Sequence, residues 1–392
     1  MTRVAFYSHD TFGLGHLRRC LKLASALTGS LERVEGLLMT GSPWADLFSP
    51  PKGFEIAPLP SIVKSGRSYE PRERGLGLEQ SLCTRSRRIE SLLDEFRPDL
   101  VIVDNVPCGL RGEMLPALRR VKDRPGSRCV LALRDVLDRL DRVRSEWSAV
   151  GAEEALEHLY DEVWVFGSDQ SSAELTKLPG MGNGIPCIAC GRLGLGHEFL
   201  PRSANDDSKI RVGGGQPRVL VTGGGGGDAM HLVQTYVEML RLLRPPIDSQ
   251  VVLGPDFCHR TWSTLNRNNG FAASISDFLP DLPQAMVRAD VVVAMAGYNS
   301  ICELEATGSR SVLVPRVWPR EEQLIRAEAQ ERAGRATVVL PQELDPDTLW
   351  AAISRELDRP RPEPILHRGA QEAARRSAAL LGVQSPERKG SR

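Results

Sequence analysis

Residues 289–303, Ala289-Asp290-Val291-Val292-Val293-Ala294-Met295-Ala296-Gly297-Tyr298-Asn299-Ser300-Ile301-Cys302-Glu303, read as a buried strand, a glycine turn and the start of a helix. The apolar run is unbroken. A strand with one wet face would alternate, so this one is expected to be covered on both faces, as in a parallel sheet with crossover helices. The same rhythm extends in both directions. After residue 217, strands are expected at 218–222, 250–253, 272–276, 290–294, 311–315 and 336–340. Helices are expected at 229–243, 258–266, 282–288, 300–307, 321–333 and 346–357, with a last one near 365–381. Before residue 201, strands at 3–8, 34–40, 54–60, 99–104, 129–134, 162–166 and 186–189 alternate with helical stretches at 17–27, 82–96 and 135–160. Residues 201–217 break the pattern with Asn, Asp, Ser, Lys and a Gly213-Gly214-Gly215 run, the composition of an exposed linker.

The expected fold class is therefore α/β, with two Rossmann-like parallel-sheet domains facing each other across a cleft. The first spans 1–205, a linker 206–216, and the second 217–383, whose last helix is expected to pack back on the first domain. The basic tail 384–392 is expected to be disordered. Open sheets of this kind take ligands at the carboxyl ends of their strands, so function is to be sought in the strand-end loops.

Composition narrows the classes. The 392 residues are 41% apolar and 26% charged, with 50 basic and 50 acidic side chains. No net field draws the chain to nucleic acid. The first ten residues meet charge too early for a secretory signal, and no run of about 18 apolar residues exists to span a bilayer. Eight cysteines are scattered without framework spacing, and the lone Cys187-x-x-Cys190 lacks a second pair or His cluster. A cytoplasmic protein with reduced thiols and no metal site is expected, as a monomer or dimer.

Four loops carry candidate chemistry. The first strand runs into Asp10-Thr11-Phe12-Gly13-Leu14-Gly15-His16. Gly13 and Gly15 let the turn approach a ligand, and His16 at a helix N-terminus is expected to be neutral and open to the cleft, the state a general base needs. A His packed under the next strand is the alternative. Asp104, ending a central strand, is placed to hold the second ring nitrogen, or else to form a turn. Arg134 and Asp135 follow the next strand as anion-binding candidates or helix caps. In the second half, Gly223, Gly224 and Gly225 open a glycine run between strand and helix, suited to a diphosphate but equally to a slack loop. Glu303 fits a ribose-binding acid, with Gly297 to Ser300 facing the phosphates. It also completes a capping box with Ser300. Glu322-Gln323 pairs acceptor and donor groups as hexose hydroxyls require, or is ordinary first-turn acidity.

Taken in order, Asp277-Phe278-Leu279-Pro280, the 289–303 segment, Gly308, Leu313-Val314-Pro315, Glu322-Gln323 and Ala327 resemble the donor half of the family 28, MurG-like glycosyltransferases of GT-B fold. Gly13-Leu14-Gly15-His16 is similar to that group's Gly-x-Gly-His loop. With Leu14-Gly15-His16-Leu17-Arg18-Arg19 and Leu133-Arg134-Asp135, the chain looks closest to the bacterial "predicted glycosyl transferase" branch. The resemblance implies that Phe278 and Leu279 hold a nucleobase, Glu303 a ribose, and Glu322-Gln323 the donor sugar. Tyr298 and Asn299 fall in the same donor segment, and the 223–227 loop approaches the diphosphate. Two departures stand out: Leu14 splits the usual glycine pair, and Glu322 replaces the commoner Asp or Gln.

The resemblance implies an inverting transfer of a hexose or N-acetylhexosamine from a nucleotide-diphosphate sugar, UDP first, to an acceptor hydroxyl, with no cofactor. A retaining enzyme often carries a second Glu eight positions before Glu303, where Met295 stands. Rival readings are a nucleotide-sugar hydrolase or 2-epimerase on the same scaffold, and a non-catalytic nucleotide-sugar-binding protein. A dinucleotide oxidoreductase ranks lower, because Leu253-Gly254 stands where its ribose acid is expected. Lys64, Arg67, Arg72 and Arg74 in the 61–80 loop suit a phosphate-bearing or lipid-linked acceptor, which would bring peripheral membrane contact, or a merely solvated loop.

Overall fold

The computed structural model describes residues 1–11, 14–65, 68–73, 75–181, 184–194, 215–258 and 273–383. The expected linker lies largely outside these residues, as do the 258–266 helix beyond Cys258 and the tail. The described chain forms two compact units. One is Met1–Leu193 with the chain from Arg368 onward, the other Gly194–His367.

The first unit is built on β1 (Thr2–Ser8), β2 (Val34–Thr40), β3 (Phe54–Pro58), β6 (Leu100–Asp104), β7 (Arg128–Arg134), β8 (Glu162–Phe166) and β9 (Cys187–Ala189). They pair in parallel in the order β3-β2-β1-β6-β7-β8-β9. Chain order reverses between β1 and β6, so the loops leaving those two strands flank the crevice where such sheets bind ligands. All five residues of β6 are buried, as the unbroken apolar spelling Leu-Val-Ile-Val requires. A separate antiparallel hairpin, β4 (Ile62–Ser65) with β5 (Ser68–Pro71), rises from the 61–80 segment. Ile62 there packs with Leu82 and Leu110.

The second unit repeats the plan. β10 (Arg218–Thr222), β11 (Asp248–Val252), β12 (Ser274–Ser276), β13 (Val291–Ala294), β14 (Ser311–Leu313) and β15 (Thr337–Val338) pair in parallel as β12-β11-β10-β13-β14-β15. Odd and even residues of each strand feed different cores. Val219, Val221, Val291 and Val293 join one cluster, and Leu220, Val292 and Ala294 the other. Period-two side-chain alternation thus puts helices on both faces. The reversal here lies between β10 and β13, which points to the loops after Thr222 and Ala294.

Two expected helices differ. The long 135–160 helix is two, α4 (Leu140–Ser148) and α5 (Ala152–Leu159), because Gly151 takes φ 68° between them. The helix after β13 is α9 (Tyr298–Thr307), and it starts two residues earlier than spacing suggests. The last helix, α12 (Gly369–Leu381), belongs to the first unit. It packs on α1 (Gly15–Thr28), and Arg376 pairs with Glu162 of β8.

Candidate functional site

In the first unit, β1 and β6 are neighbours. The helix that follows β1 therefore starts beside the end of β6, which brings His16 to Asp104. His16 Nδ1 lies 2.5 Å from Asp104 Oδ2. The other carboxylate oxygen, Oδ1, accepts Arg19 Nε at 2.8 Å and also Arg19 Nη2. All three side chains are buried, with Arg19 only 1% and Asp104 2% exposed at the side chain. Burial would push the Asp104 carboxyl up, but the Arg19 charge and then His16 hold it well below the usual carboxylate range. An ionised Asp104 can only accept, which assigns the proton to His16 Nδ1 and leaves Nε2 with a free lone pair. His16 is itself held below its ordinary value. Burial is the main cause, working against Asp104, and Arg134 and Arg19 add to it.

The imidazole expected to be open is thus nearly enclosed, and desolvation does most of what had been ascribed to the helix end. Around it stand Asp10 and the His9 ring, the latter edge-on at 5.7 Å. Asp10 accepts Thr40 Oγ1, and burial raises its carboxyl. Arg134 Nε donates to Asn105 Oδ1 at 3.2 Å. Asp135 is buried, accepting Val136 N at 2.7 Å and pairing with Arg192 at 3.2 Å. It does not cap a helix, since α4 begins at Leu140. Gly15 opens α1, while Gly13 and Arg67 lie outside the described residues.

A second buried network holds the strand that leads to His16. Tyr7 of β1 donates its hydroxyl to Glu113 Oε1 at 2.6 Å, and Arg85 grips the same carboxylate with two bonds of 2.7 Å. The signal for Arg85 and Arg19 is weak in sequence. Each is a charge on a helix face that otherwise reads as apolar.

In the second unit, the glycine run after β10 is shaped rather than slack. Gly224 and Gly226 have φ of 62° and 92°, and a Cβ at Gly226 would stand 2.6 Å from Leu253 O. Gly223 is as tight, with Ala229 Cβ 2.5 Å from its would-be Cβ. The loop meets the start of α9. Ser300 Oγ lies 3.9 Å from the Cβ position of Gly224 and 3.8 Å from that of Gly297. Gly297 is the N-cap, with no side-chain cap, so Ser300 falls inside the helix and the capping-box reading fails. Tyr298 and Asn299 open the first turn, and Glu303, one turn on, is fully buried. Beyond β14, Arg316 donates its backbone N–H to Gln323 Oε1 at 3.1 Å and pairs with both Glu322 and Asp228. Glu322 and Gln323 are thus drawn through Arg316 to Asp228, the residue after the glycine run. Phe278 and Leu279, half-buried, follow β12.

Residues 218–380 match the glycosyltransferase family 28 C-terminal domain. The match is to that family's C-terminal domain and covers less than half of the chain. Two relatives are UDP-N-acetylglucosamine--N-acetylmuramyl-(pentapeptide) pyrophosphoryl-undecaprenol N-acetylglucosamine transferases. That of Desulfitobacterium hafniense strain Y51 is 31% identical over 36% of this chain and 40% of its own. That of Syntrophotalea carbinolica is 30% identical over 43% and 47%. The chain spans less than half the length of these relatives. Solved structures resemble nearly all of it. Acinetobacter baumannii MurG has a TM-score of 0.54 at 14% identity, covering 99% of this chain and 96% of its own. The spinosyn forosaminyltransferase SpnP has 0.59 at 16%, covering 97% and 95%. These likenesses establish the GT-B fold, the expected fold class of two parallel-sheet α/β domains. Among the described residues no group of three or more His, Cys, Asp and Glu could hold a metal ion, and no helix is long and apolar enough to cross a membrane.

Proposed function

We propose that the chain is an inverting glycosyltransferase that moves a hexose or N-acetylhexosamine from a nucleotide-diphosphate sugar to an acceptor hydroxyl. The single observation that carries this is His16 held by Nδ1 on the buried Asp104 carboxylate, in a chain whose residues 218–380 match the family 28 C-terminal domain. His16 Nε2 takes the acceptor hydroxyl proton as that oxygen attacks the anomeric carbon. The bond from that carbon to the diphosphate oxygen breaks with inversion. Negative charge growing on the leaving diphosphate is met by backbone N–H groups of the 223–227 loop and the N-terminus of α9. Asp104 keeps the ring in one tautomer and stabilises the imidazolium formed. Glu303 is assigned to the ribose, Phe278 and Leu279 to the base, and Glu322-Gln323 to the sugar.

The curated relatives' names make UDP-N-acetylglucosamine the first donor to test, with a pyrophosphoryl-polyprenol acceptor beside simpler hydroxyl acceptors. Arg134 and Asp135, with Arg67 and the hairpin, are the acceptor-side candidates. A thermal-shift screen against UDP, dTDP and GDP sugars, followed by turnover with and without acceptors, tests the reading. Stabilisation by one donor and acceptor-dependent nucleotide release are expected. Release without an acceptor would assign a hydrolase or 2-epimerase, and binding without turnover across a broad acceptor panel a binding protein.

A further inference from the structure

An arginine with 1% of its side chain exposed is costly to bury and needs a reason. Arg19 sits three residues after His16, on the same face of α1, and its fork closes on Asp104 Oδ1 through both Nε and Nη2. Its Nη2 also lies 3.4 Å from His16 Nδ1. Asp104 raises the ring's proton affinity against the effect of burial, and an imidazolium cannot take a proton. With Arg19 present the carboxylate already has its counter-charge, so a neutral ring completes a neutral cluster. A second positive charge enters only when a proton is transferred.

We propose that Arg19 is a positioning residue that acts through Asp104, clamping the carboxylate for hydrogen bonding while its charge keeps His16 neutral and ready to accept a proton. This rests on the reading of His16 as the base. The charged and titratable groups facing the ring are Asp104 from β6, Arg134 from β7, His9 and Asp10 from the loop after β1, and Arg19 from its own helix. Arg134 and Arg19 both lower the ring's proton affinity, and Arg19 also bonds the carboxylate that holds the ring.

The test is ¹⁵N NMR of the His16 ring in the whole chain, read without donor or acceptor. In the wild type at neutral pH, a neutral ring protonated at Nδ1 is expected. An imidazolium or an Nε2–H ring overturns the proposal. In Arg19→Met the midpoint of His16 titration is expected to rise by about 1 pH unit. In Arg19→Lys, which restores the charge, it should stay near the wild-type value. An unmoved midpoint in folded Arg19→Met, or equal rises in both variants, overturns the assignment. Should Arg19→Met fail to fold, the wild-type tautomer and the Lys variant still decide it. Because no substrate is present, failure here leaves the transferase reading standing, and absence of transfer leaves this titration standing.

Discussion

Asp104, the last residue of β6, holds His16 by Nδ1 at 2.5 Å across 88 residues of sequence. Nothing local to either residue places the other. The pairing follows from strand order, since β1 and β6 are neighbours and both run out at the same edge of the sheet. Asp104→Asn keeps the shape and removes the charge. Transfer is expected to fall by a factor on the order of 10³, with the fold intact by circular dichroism. An Asn that supports wild-type turnover would show the carboxylate to be structural.

The pH dependence has a worked sign. In the proposed mechanism the active form of His16 is neutral, and its proton affinity is held below the ordinary value of about 6.5. The acid limb of kcat/KM is therefore expected below pH 6.5, with a plateau through neutrality. Stability has a separate limb from Asp104, whose folded carboxyl titrates below its unfolded value of about 3.9. That contribution is fully present above this value and is lost as pH falls through the lower, folded one. Thermal unfolding followed from about pH 5 down to about pH 1 measures it.

Breaking the Tyr7–Glu113–Arg85 network should cost more than removing it. Glu113→Gln leaves Arg85, 2% exposed, without its counter-charge, and about 3–5 kcal/mol of stability is expected to go. The double variant Arg85→Met/Glu113→Leu is expected to recover part of that loss. Denaturant unfolding of the two proteins measures both, and a double variant worse than the single would contradict the account.

Much of this fold was legible because a parallel sheet buried on both faces writes unbroken apolar runs. Val291 to Ala294 and Leu100 to Val103 are examples, and both became strands. Glycines at strand ends marked the turns. Other parts are invisible locally. Gly151, at φ 68°, interrupts a stretch that otherwise reads as one helix. The hairpin at Ile62–Pro71 is short and polar, so it read as loop. His16 and Asp104 are readable from the loop after the first strand and from the end of the central strand β6, as candidates only. Arg19 was quoted in the motif without a role, because its partner lies 85 residues on. The capping box failed because Ser300-x-x-Glu303 fits the pattern while Gly297 is the residue with extended backbone, and that backbone decides where the helix begins.

Gly226→Ala tests whether the glycine loop is shaped for a ligand. With φ at 92° and Leu253 O 2.6 Å from the new Cβ, about 1–3 kcal/mol of stability should be lost. Donor KM is expected to rise about tenfold or more. Gly382→Ala, also at positive φ but with open space around it, is the control and should leave donor KM unchanged.

Glu303→Gln is nearly isosteric at a fully buried position. If the carboxylate accepts ribose hydroxyls, UDP affinity by calorimetry should fall about tenfold in a variant shown to be folded by circular dichroism. Unchanged affinity would remove Glu303 from the donor site.

The most direct test compares wild type with His16→Ala on the donor found by thermal shift, reading product anomer by NMR and turnover by nucleotide release. The account predicts a product of inverted configuration and a loss on the order of 10³ in kcat for His16→Ala, with donor affinity retained. A product of retained configuration, or undiminished transfer by His16→Ala, would contradict it.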